Sequence, residues 1–151
     1  APRMKAVLER GGTVLLDRYV YSNVAYQCAK IDDAGRRREL REWILHTEYG
    51  SFSLPRPDLN IFLDVPFGFV EQKLSGGRQG GDRSYLEGGH DIHEADMGFQ
   101  RRVRDMYLEQ CSMDEHFVRV DCSSSDGAML HPDEIFSRIM EQVAPLYYPH
   151  S

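Results

Sequence analysis

Cysteine is scarce in this sequence, and no long apolar segment is present. The 151 residues include three cysteines, an odd number without CxxC spacing, which argues against both a disulfide framework and a zinc site. We therefore expect a reducing, cytoplasmic location. No apolar run approaches the ~18 residues of a membrane span, so we expect no membrane association. The formal net charge of −6 argues against nonspecific binding to nucleic acid, because such binding depends on neutralising phosphates.

Short apolar runs alternate along the chain with segments of helical periodicity. The runs TVLL (13–16), LNIFLDV (59–65) and FVRVD (117–121) predict three strands. Before the first run, an apolar stripe predicts an amphipathic helix that ends at Gly11-Gly12. Strands alternating with helices predict an α/β fold, a doubly wound parallel sheet with flanking helices. The length predicts a single domain over residues 1–151.

Three further helices are predicted by apolar stripes. The stripes are Leu40, Trp43, Ile44 and Thr47, then Phe99, Val103, Met106 and Tyr107, then Ile135, Phe136, Ile139 and Val143. Trp43 is expected in the core. The last helix is expected to begin near Pro132, which suits a first turn. The basic run Arg101, Arg102 and Arg104 predicts a solvated helix face.

The segment of residues 75–91 interrupts this alternation. It holds six glycines together with Arg78 and Arg83, a composition that predicts a flexible loop. A loop of this length inside a compact domain is usually functional or disordered. Two interpretations stay open: a solvated surface loop with incidental charges, or a basic lid that closes over phosphates.

Asp17 and Arg18 follow the first predicted strand directly, in the stretch TVLLDRYVYSNVAYQ (13–27). In α/β sheets, ligands bind beyond the carboxyl ends of strands. An aspartate there can hold Mg²⁺ directly or through water, and an arginine can bind a phosphate with two hydrogen bonds. The alternative is a surface ion pair of little energetic consequence.

The helix predicted after Arg18 carries polar side chains one turn apart. Ser22 and Tyr26 are spaced i, i+4, and so are Asn23 and Gln27. Amide side chains both donate and accept hydrogen bonds, which suits the edge of a base, and an aromatic ring can pack against a sugar. A helix that served only the core would carry valine or leucine at positions 22 and 26.

Three stretches of this chain resemble the thymidylate kinase family. They are DRYVYSNVAYQCAK (17–30), LPRPDLNIFLDVP (54–66) and DIHEADMGFQRRVRDMYL (91–108). The resemblance covers most of the chain, and the three stretches occur in the same order as in the family. It implies a P-loop NTPase-like fold and transfer of the γ-phosphoryl group of ATP to dTMP, with Mg²⁺ as cofactor.

The resemblance also implies a role for each matching residue. Asp17 is similar to the acidic residue near Mg²⁺, and Arg18 to the arginine that binds the dTMP phosphate. Ser22 and Asn23 lie where the family contacts the thymine edge, and Tyr26 where it packs beside the deoxyribose. Loop 75–91 matches the lid, with Arg78 and Arg83 stabilising transferred charge. His93, where many members have tyrosine, and Glu94 lie near the sugar.

A structural alternative stays open for His93 and Glu94. Asp91 could be the N-cap of a helix, which would place His93 in its first turn. Glu94 would then be the N3 partner of Asp91 in a capping box.

The phosphate-binding motif GxxxxGK[ST] does not occur in these 151 residues. In the family it lies upstream of the DRY stretch, on a strand between the first two strands predicted here. We therefore expect the chain to resemble the C-terminal portion of such an enzyme, N-terminally incomplete, and to turn over negligibly by itself.

Two further interpretations of function stay open. One is a kinase for another nucleoside monophosphate or for a nucleoside. The other is a catalytically inactive remnant that binds a nucleotide or a partner protein. The resemblance also implies a homodimer formed through helices, to which the stripe with Trp43 could contribute.

Overall fold

The computed structural model describes the backbone of residues 1–76 and 86–148, and the side chains of residues 1–75 and 95–148. The chain divides into two compact units, Ala1–Asp58 and Leu59–Ser151. Among the described helices, none combines the length and the hydropathy that crossing a bilayer requires. The elements in order are α1 (Pro2–Glu9), α2 (Val20–Cys28), α3 (Ala34–Leu45), a π-helical segment (His46–Ser51), β1 (Asn60–Asp64), α4 (Phe67–Gly76), α5 (Leu86–Met113), β2 (Phe117–Asp121) and α6 (Pro132–Tyr147).

Helix α1 ends at the predicted glycine pair. Gly11 has a left-handed backbone, with φ of 76°, which glycine adopts at low cost. The amide of Gly12 donates to the carbonyl of Val7 at 2.9 Å and satisfies one of the last free carbonyls of the helix. The predicted helix and its end are confirmed.

Helices α2 and α3 pack against each other in the first unit. The buried side of α2 is apolar and consists of Val20, Tyr21, Val24, Ala25 and Cys28. Asp33 caps α3 by accepting a hydrogen bond from the amide of Arg36 at 2.8 Å. Arg37 then donates to the carbonyls of Ile31 and Asp32, at 3.0 and 2.6 Å. These contacts fix the connection between α2 and α3 to the start of α3.

The strand predicted at residues 13–16 is wrong. The segment has no regular secondary structure, and the Leu15 side chain is 95% exposed. A strand exists only where a neighbour satisfies its backbone N–H and C=O groups. No strand within residues 1–76 or 86–148 pairs with this segment. The apolar composition of this segment predicted a strand, but the described residues supply no partner strand for it.

The other two predicted strands form a parallel pair in the second unit. Strands β1 and β2 align in register from Asn60 opposite Phe117 to Asp64 opposite Asp121. The described chain is thus a mixed α/β protein with a two-stranded parallel sheet and flanking helices. Both strand predictions, and the parallel direction, are confirmed.

Helix α5 packs on this pair through its predicted apolar stripe. The Tyr107 ring stacks on Phe62 of β1 at 4.7 Å between centroids and meets Phe117 of β2 edge-on at 6.3 Å. Val103, one turn earlier, is buried. The same helix thus covers both strands, and the stripe is confirmed.

The predicted loop 75–91 overlaps the last residues of α4 and the first residues of α5. Its middle, residues 77–85, lies outside the described residues. Because α5 begins at Leu86, Asp91 lies within the helix. The alternative in which Asp91 caps a helix and pairs with Glu94 is therefore wrong, since a helix N-cap has no preceding helical turn.

Asp64 ends β1 with a buried carboxylate held by two arginines. Arg104 of α5 donates to it through Nε at 2.7 Å and Nη2 at 2.9 Å, and Arg119 of β2 through Nε at 2.6 Å. Burial by itself raises the pKa of the Asp64 carboxyl, but these hydrogen bonds and positive charges outweigh it and hold that pKa below its usual range. Asp64 thus ties α5 and β2 to β1.

The Arg104 contact corrects the prediction of a solvated basic face. Arg101 and Arg102 are exposed, but Arg104 is half-buried because its guanidinium turns to Asp64. Arg101 lies over the Phe67 ring at 4.7 Å from its centroid. Sequence spacing did not show that Arg104 differs in burial from Arg101 and Arg102, because the partner of Arg104 lies 40 residues away in sequence.

Helix α6 begins at Pro132, as predicted, and the His131 side chain accepts from the amide of Asp133 at 3.2 Å. Arg138 of this helix donates to the carbonyl of Asp121 in β2 at 2.7 Å. Its apolar stripe is not a core stripe, however. No residue of α6 is buried, and Phe136 is 61% exposed.

Trp43 is not in the core. Its side chain is 64% exposed, whereas the next residue, Ile44, is 3% exposed and is the buried residue of α3. Neighbouring residues of a helix point about 100° apart, so a narrow contact can bury one and leave the other in solvent. The predicted stripe is therefore wider than the face that α3 buries.

We expect Asp64→Asn to lower the free energy of unfolding by about 2 kcal/mol, because the two arginines lose a charged acceptor. The unfolded aspartate titrates near pH ~4 and the folded one lower, so the stability that Asp64 contributes is complete above that pH. It is lost as the pH falls through the folded pKa. Urea unfolding from pH 7 to pH 3 measures both effects.

Glu109→Gln, on the exposed side of α5, is the control and should retain the acid-dependent loss of stability of the unaltered chain. Asp64→Asn should flatten that loss. An Asp64→Asn protein with the same acid dependence as the Glu109→Gln protein would contradict the assignment.

Candidate active site

The polar face predicted on α2 exists. Ser22 and Tyr26 are half-buried and Asn23 and Gln27 are exposed, opposite the buried side of the same helix. We call these four residues the polar face of α2. Their spacing is fixed because α2 is a regular helix of nine residues whose buried side packs against α3.

Asp17 and Arg18 are both exposed and precede the first residue of α2 by three and two positions. They do not stand at the end of a strand, since residues 13–16 form none. Within the described part of the chain, Asp17 and Arg18 form no ion pair with each other. The interpretation as a simple surface ion pair is therefore wrong.

The backbone of Arg18 is left-handed, with φ of 68°. This conformation is unfavourable for a residue with a Cβ and costs of order 1–2 kcal/mol. Such strain persists only where neighbouring structure imposes it, and it concentrates at functional sites. Arg18 is thus a strained residue directly before the polar face of α2.

Tyr19 fixes the chain immediately after Arg18. Its hydroxyl donates to the carbonyl of Pro55 at 3.0 Å, and its ring lies 6.4 Å from that of Tyr49. The Arg56 guanidinium lies over the Tyr49 ring, 4.5 Å from its centroid. Burial, and then the charge of Glu48, raise the pKa of the Tyr19 hydroxyl, so it stays a protonated donor.

The Arg18 guanidinium lies against Tyr26. Its Nη2 donates to the Tyr26 hydroxyl at 3.4 Å, and its Cζ lies 5.2 Å from the ring centroid. Gln27, on the same face, accepts a hydrogen bond from the Lys30 ammonium at 3.4 Å. The sequence does not predict the contact between Arg18 and Tyr26, because that contact depends on the left-handed backbone at Arg18.

The side chains of four other predicted site residues lie outside the described part of the structure. Arg78 and Arg83 lie outside the described residues. His93 and Glu94 lie in the helical backbone of α5, and their side chains are outside the description. Their roles in a site stay predictions.

The described residues contain no cluster of three metal-binding side chains of the His, Cys, Asp or Glu types. The Asp17 carboxylate is exposed and offers hard oxygen atoms. Mg²⁺ commonly takes one or two protein carboxylates and completes its coordination with water and substrate phosphates. A lone carboxylate such as Asp17 therefore fits that ion.

The sequence profile of a known family, described as thymidylate kinase, matches residues 1–131. The chain belongs to the thymidylate kinase family. It is 36% identical over 121 residues to the thymidylate kinase of Leifsonia xyli subsp. xyli, covering 80% of this chain and 50% of the relative. It is 37% identical over 116 residues to a probable thymidylate kinase of Archaeoglobus fulgidus, covering 77% and 48%.

A longer match reaches the thymidylate kinase of Limosilactobacillus fermentum, with 33% identity over 148 residues, 95% of this chain and 61% of the relative. The chain spans about half the length of the curated relatives with the higher identities. The resemblance drawn from the three sequence stretches is confirmed.

Because the backbone of Arg18 is left-handed, a glycine variant at this position should be more stable than an alanine variant. This is the reverse of the order at an ordinary helical position. We expect Arg18→Gly to be about 1 kcal/mol more stable than Arg18→Ala, because glycine removes the Cβ strain. At Arg38, an exposed position of α3, the order should be the usual one, with glycine about 1 kcal/mol less stable than alanine.

Urea unfolding of the four variants measures this comparison. The same order at both positions would show that Arg18 carries no backbone strain.

Proposed function

We propose that the whole protein transfers the γ-phosphoryl group of ATP to dTMP and releases dTDP and ADP. The observation that carries this proposal is the polar face of α2 with the Arg18 guanidinium held over it, in a chain of the thymidylate kinase family. The relatives are named thymidylate kinases, which supports dTMP as the acceptor and ATP as the donor.

The proposed phosphate contact of Arg18 has support from the start of α2. Within the described residues no side chain caps this helix end. The positive end of the helix dipole favours negative charge at the same place. Arg18, two residues before the helix, can add a charged fork that matches phosphate geometry.

In phosphoryl transfer, the protein contributes mainly by positioning the reacting groups and by stabilising the charge on the transferred phosphoryl group. An ionised oxygen of the dTMP phosphate forms the new bond to the γ-phosphorus, and the bond from that phosphorus to the β–γ bridging oxygen breaks. No strong general base is needed, because the attacking oxygen already carries negative charge at neutral pH. We assign Arg18 to align this acceptor phosphate.

The polar face of α2 is proposed to read the nucleoside. Ser22, Asn23 and Gln27 are assigned to the thymine edge, since hydroxyl and amide groups both donate and accept hydrogen bonds. Tyr26 is assigned a place beside the deoxyribose. In this assignment Gln27 exchanges its bond to Lys30 for one to the base.

The Asp17 carboxylate is assigned to Mg²⁺, directly or through water. When bound, this ion neutralises charge on the phosphate oxygens. Arg78 and Arg83 are proposed as the lid arginines that stabilise the transferred group, and His93 and Glu94 as residues near the sugar. We further propose a single domain over residues 1–151 with a lid at about 75–91.

The finer fold proposal is a doubly wound, P-loop NTPase-like sheet. It is supported by the parallel register of β1 and β2 and by the family match. A cytoplasmic location is proposed because none of the three described cysteines forms a disulfide, as expected for a reducing compartment. We propose no role in binding nucleic acid, in keeping with the net charge of −6.

We expect the gene product, as the cell makes it, to phosphorylate dTMP in a coupled assay of ADP release. Arg18→Ala and Asp17→Asn should each lower kcat/KM for dTMP on the order of 100-fold, because each removes charge stabilisation at the transferring phosphates. Turnover on dTMP should exceed that on dUMP, UMP and thymidine.

Arg38→Ala removes an exposed arginine of α3 and is the matched control, with an expected change within about twofold. Equal rates on all four acceptors would defeat the assignment of thymine and favour a kinase of broader specificity. No turnover on any acceptor, with dTMP still bound, would favour the inactive remnant.

A second copy of this chain is the partner that we propose for the exposed Trp43. The family resemblance implies a homodimer formed through helices, and a large exposed aromatic side chain on a helix suits such a contact. We expect Trp43→Ser to weaken dimerisation at least about tenfold, as for other buried tryptophans of interfaces, measured by analytical ultracentrifugation.

Phe52→Ser is the control, because Phe52 is an aromatic residue of the same unit with the same 64% exposure. A gene product that is monomeric at micromolar concentration would contradict the homodimer. Equal weakening by Trp43→Ser and Phe52→Ser would contradict the placement of the interface at Trp43.

A further inference from the structure

Tyr26 makes two contacts with one guanidinium. The hydroxyl accepts from Arg18 Nη2 at 3.4 Å, while the ring centroid lies 5.2 Å from Arg18 Cζ, within the ~6 Å range of a cation–π interaction. The two contacts restrain different motions. The hydrogen bond resists rotation of the guanidinium, and the ring contact resists its movement away from the helix.

The partner of Arg18 in this contact is neutral. Within the described part of the chain, no carboxylate forms an ion pair with Arg18. A guanidinium has five N–H donors, of which this contact uses one. Arg18 is therefore held in place while its charge and most of its donors remain available to an anion.

The orientation of Arg18 also depends on parts of the chain that do not move with it. Tyr19 is anchored to Pro55, and Val20 is buried at the start of α2. The left-handed backbone of Arg18 links these fixed residues to the exposed segment before them. Tyr26, half-buried two turns into α2, gives the long arginine side chain a rigid support.

We propose that Tyr26 is a positioning residue that fixes the Arg18 guanidinium for the phosphate of the acceptor nucleotide. This inference rests on the proposed function, in which Arg18 binds that phosphate. It assigns to Tyr26 an effect on the phosphate in addition to a place beside the sugar. Holding the arginine before the ligand arrives lowers the entropy lost on binding.

The test compares a ligand that has the phosphate with one that lacks it. Isothermal titration calorimetry measures Kd for dTMP and for thymidine with the gene product and with its Tyr26→Leu and Tyr26→Phe variants. Tyr26→Leu should weaken dTMP binding about tenfold, because both contacts are lost. Thymidine binding should weaken only about threefold, the loss expected from the sugar contact alone, because thymidine has no phosphate for Arg18 to bind. Tyr26→Phe keeps the ring and should fall between the Tyr26→Leu and unaltered proteins for dTMP.

A double-mutant cycle separates positioning from direct contact. In an Arg18→Ala background, Tyr26→Leu should weaken dTMP binding no more than it weakens thymidine binding, since only the sugar contact is left to lose. Tyr148→Leu, which removes an exposed tyrosine after α6, is the control for loss of an aromatic ring. Urea unfolding of each variant confirms that it is folded.

Equal losses for dTMP and thymidine in Tyr26→Leu would overturn the positioning role and leave Tyr26 as a sugar contact. Additive losses in the double variant would overturn it as well. Both results leave the proposed function intact as long as Arg18→Ala weakens dTMP binding. An Arg18→Ala protein that binds dTMP as tightly as the unaltered protein would overturn the positioning role and the proposed function together.

Discussion

The left-handed backbone at Arg18 is the constraint on which the candidate site depends. Tyr19 is anchored through its hydroxyl to Pro55, and Val20 is already buried in α2. The chain must therefore turn within one residue, and that residue is an arginine with φ of 68°. The turn brings the guanidinium against Tyr26. A strained backbone and a rigid helix together present a positive charge to solvent, which is the arrangement that binding an anion requires.

The second unit is organised by a different interaction, the carboxylate of Asp64. Three donors from Arg104 and Arg119 converge on it, and they connect the end of β1 with α5 and β2. Two parallel strands alone bury little surface, so helix packing and this ionic cluster supply much of what holds the pair. Buried carboxylates are stable only when they are paired, and the depressed pKa of Asp64 reflects that pairing.

Family membership and local geometry support different parts of the functional argument. The match over residues 1–131 establishes the thymidylate kinase family, but this chain spans about half of its relatives. The geometry adds what a match does not give, namely how Arg18 is held and which side of α2 is open. The proposed recognition of the acceptor nucleotide therefore rests on this chain's own residues. The motif that would hold the donor phosphates, GxxxxGK[ST], does not occur among them.

The sequence by itself determined the element types wherever a local pattern was enough. The strands at 60–64 and 117–121, the helix stop at Gly11-Gly12 and the polar face of α2 all follow from composition and periodicity. Only the tertiary structure decided which partners these elements met. Residues 13–16 have strand composition, but the described part of the chain offers them no strand to pair with. Trp43 has helix periodicity without burial, and Arg104 contacts a carboxylate 40 residues away. Periodicity acts over one or two turns of chain, whereas pairing, burial and the contact between Arg18 and Tyr26 depend on what folding brings within a few ångströms.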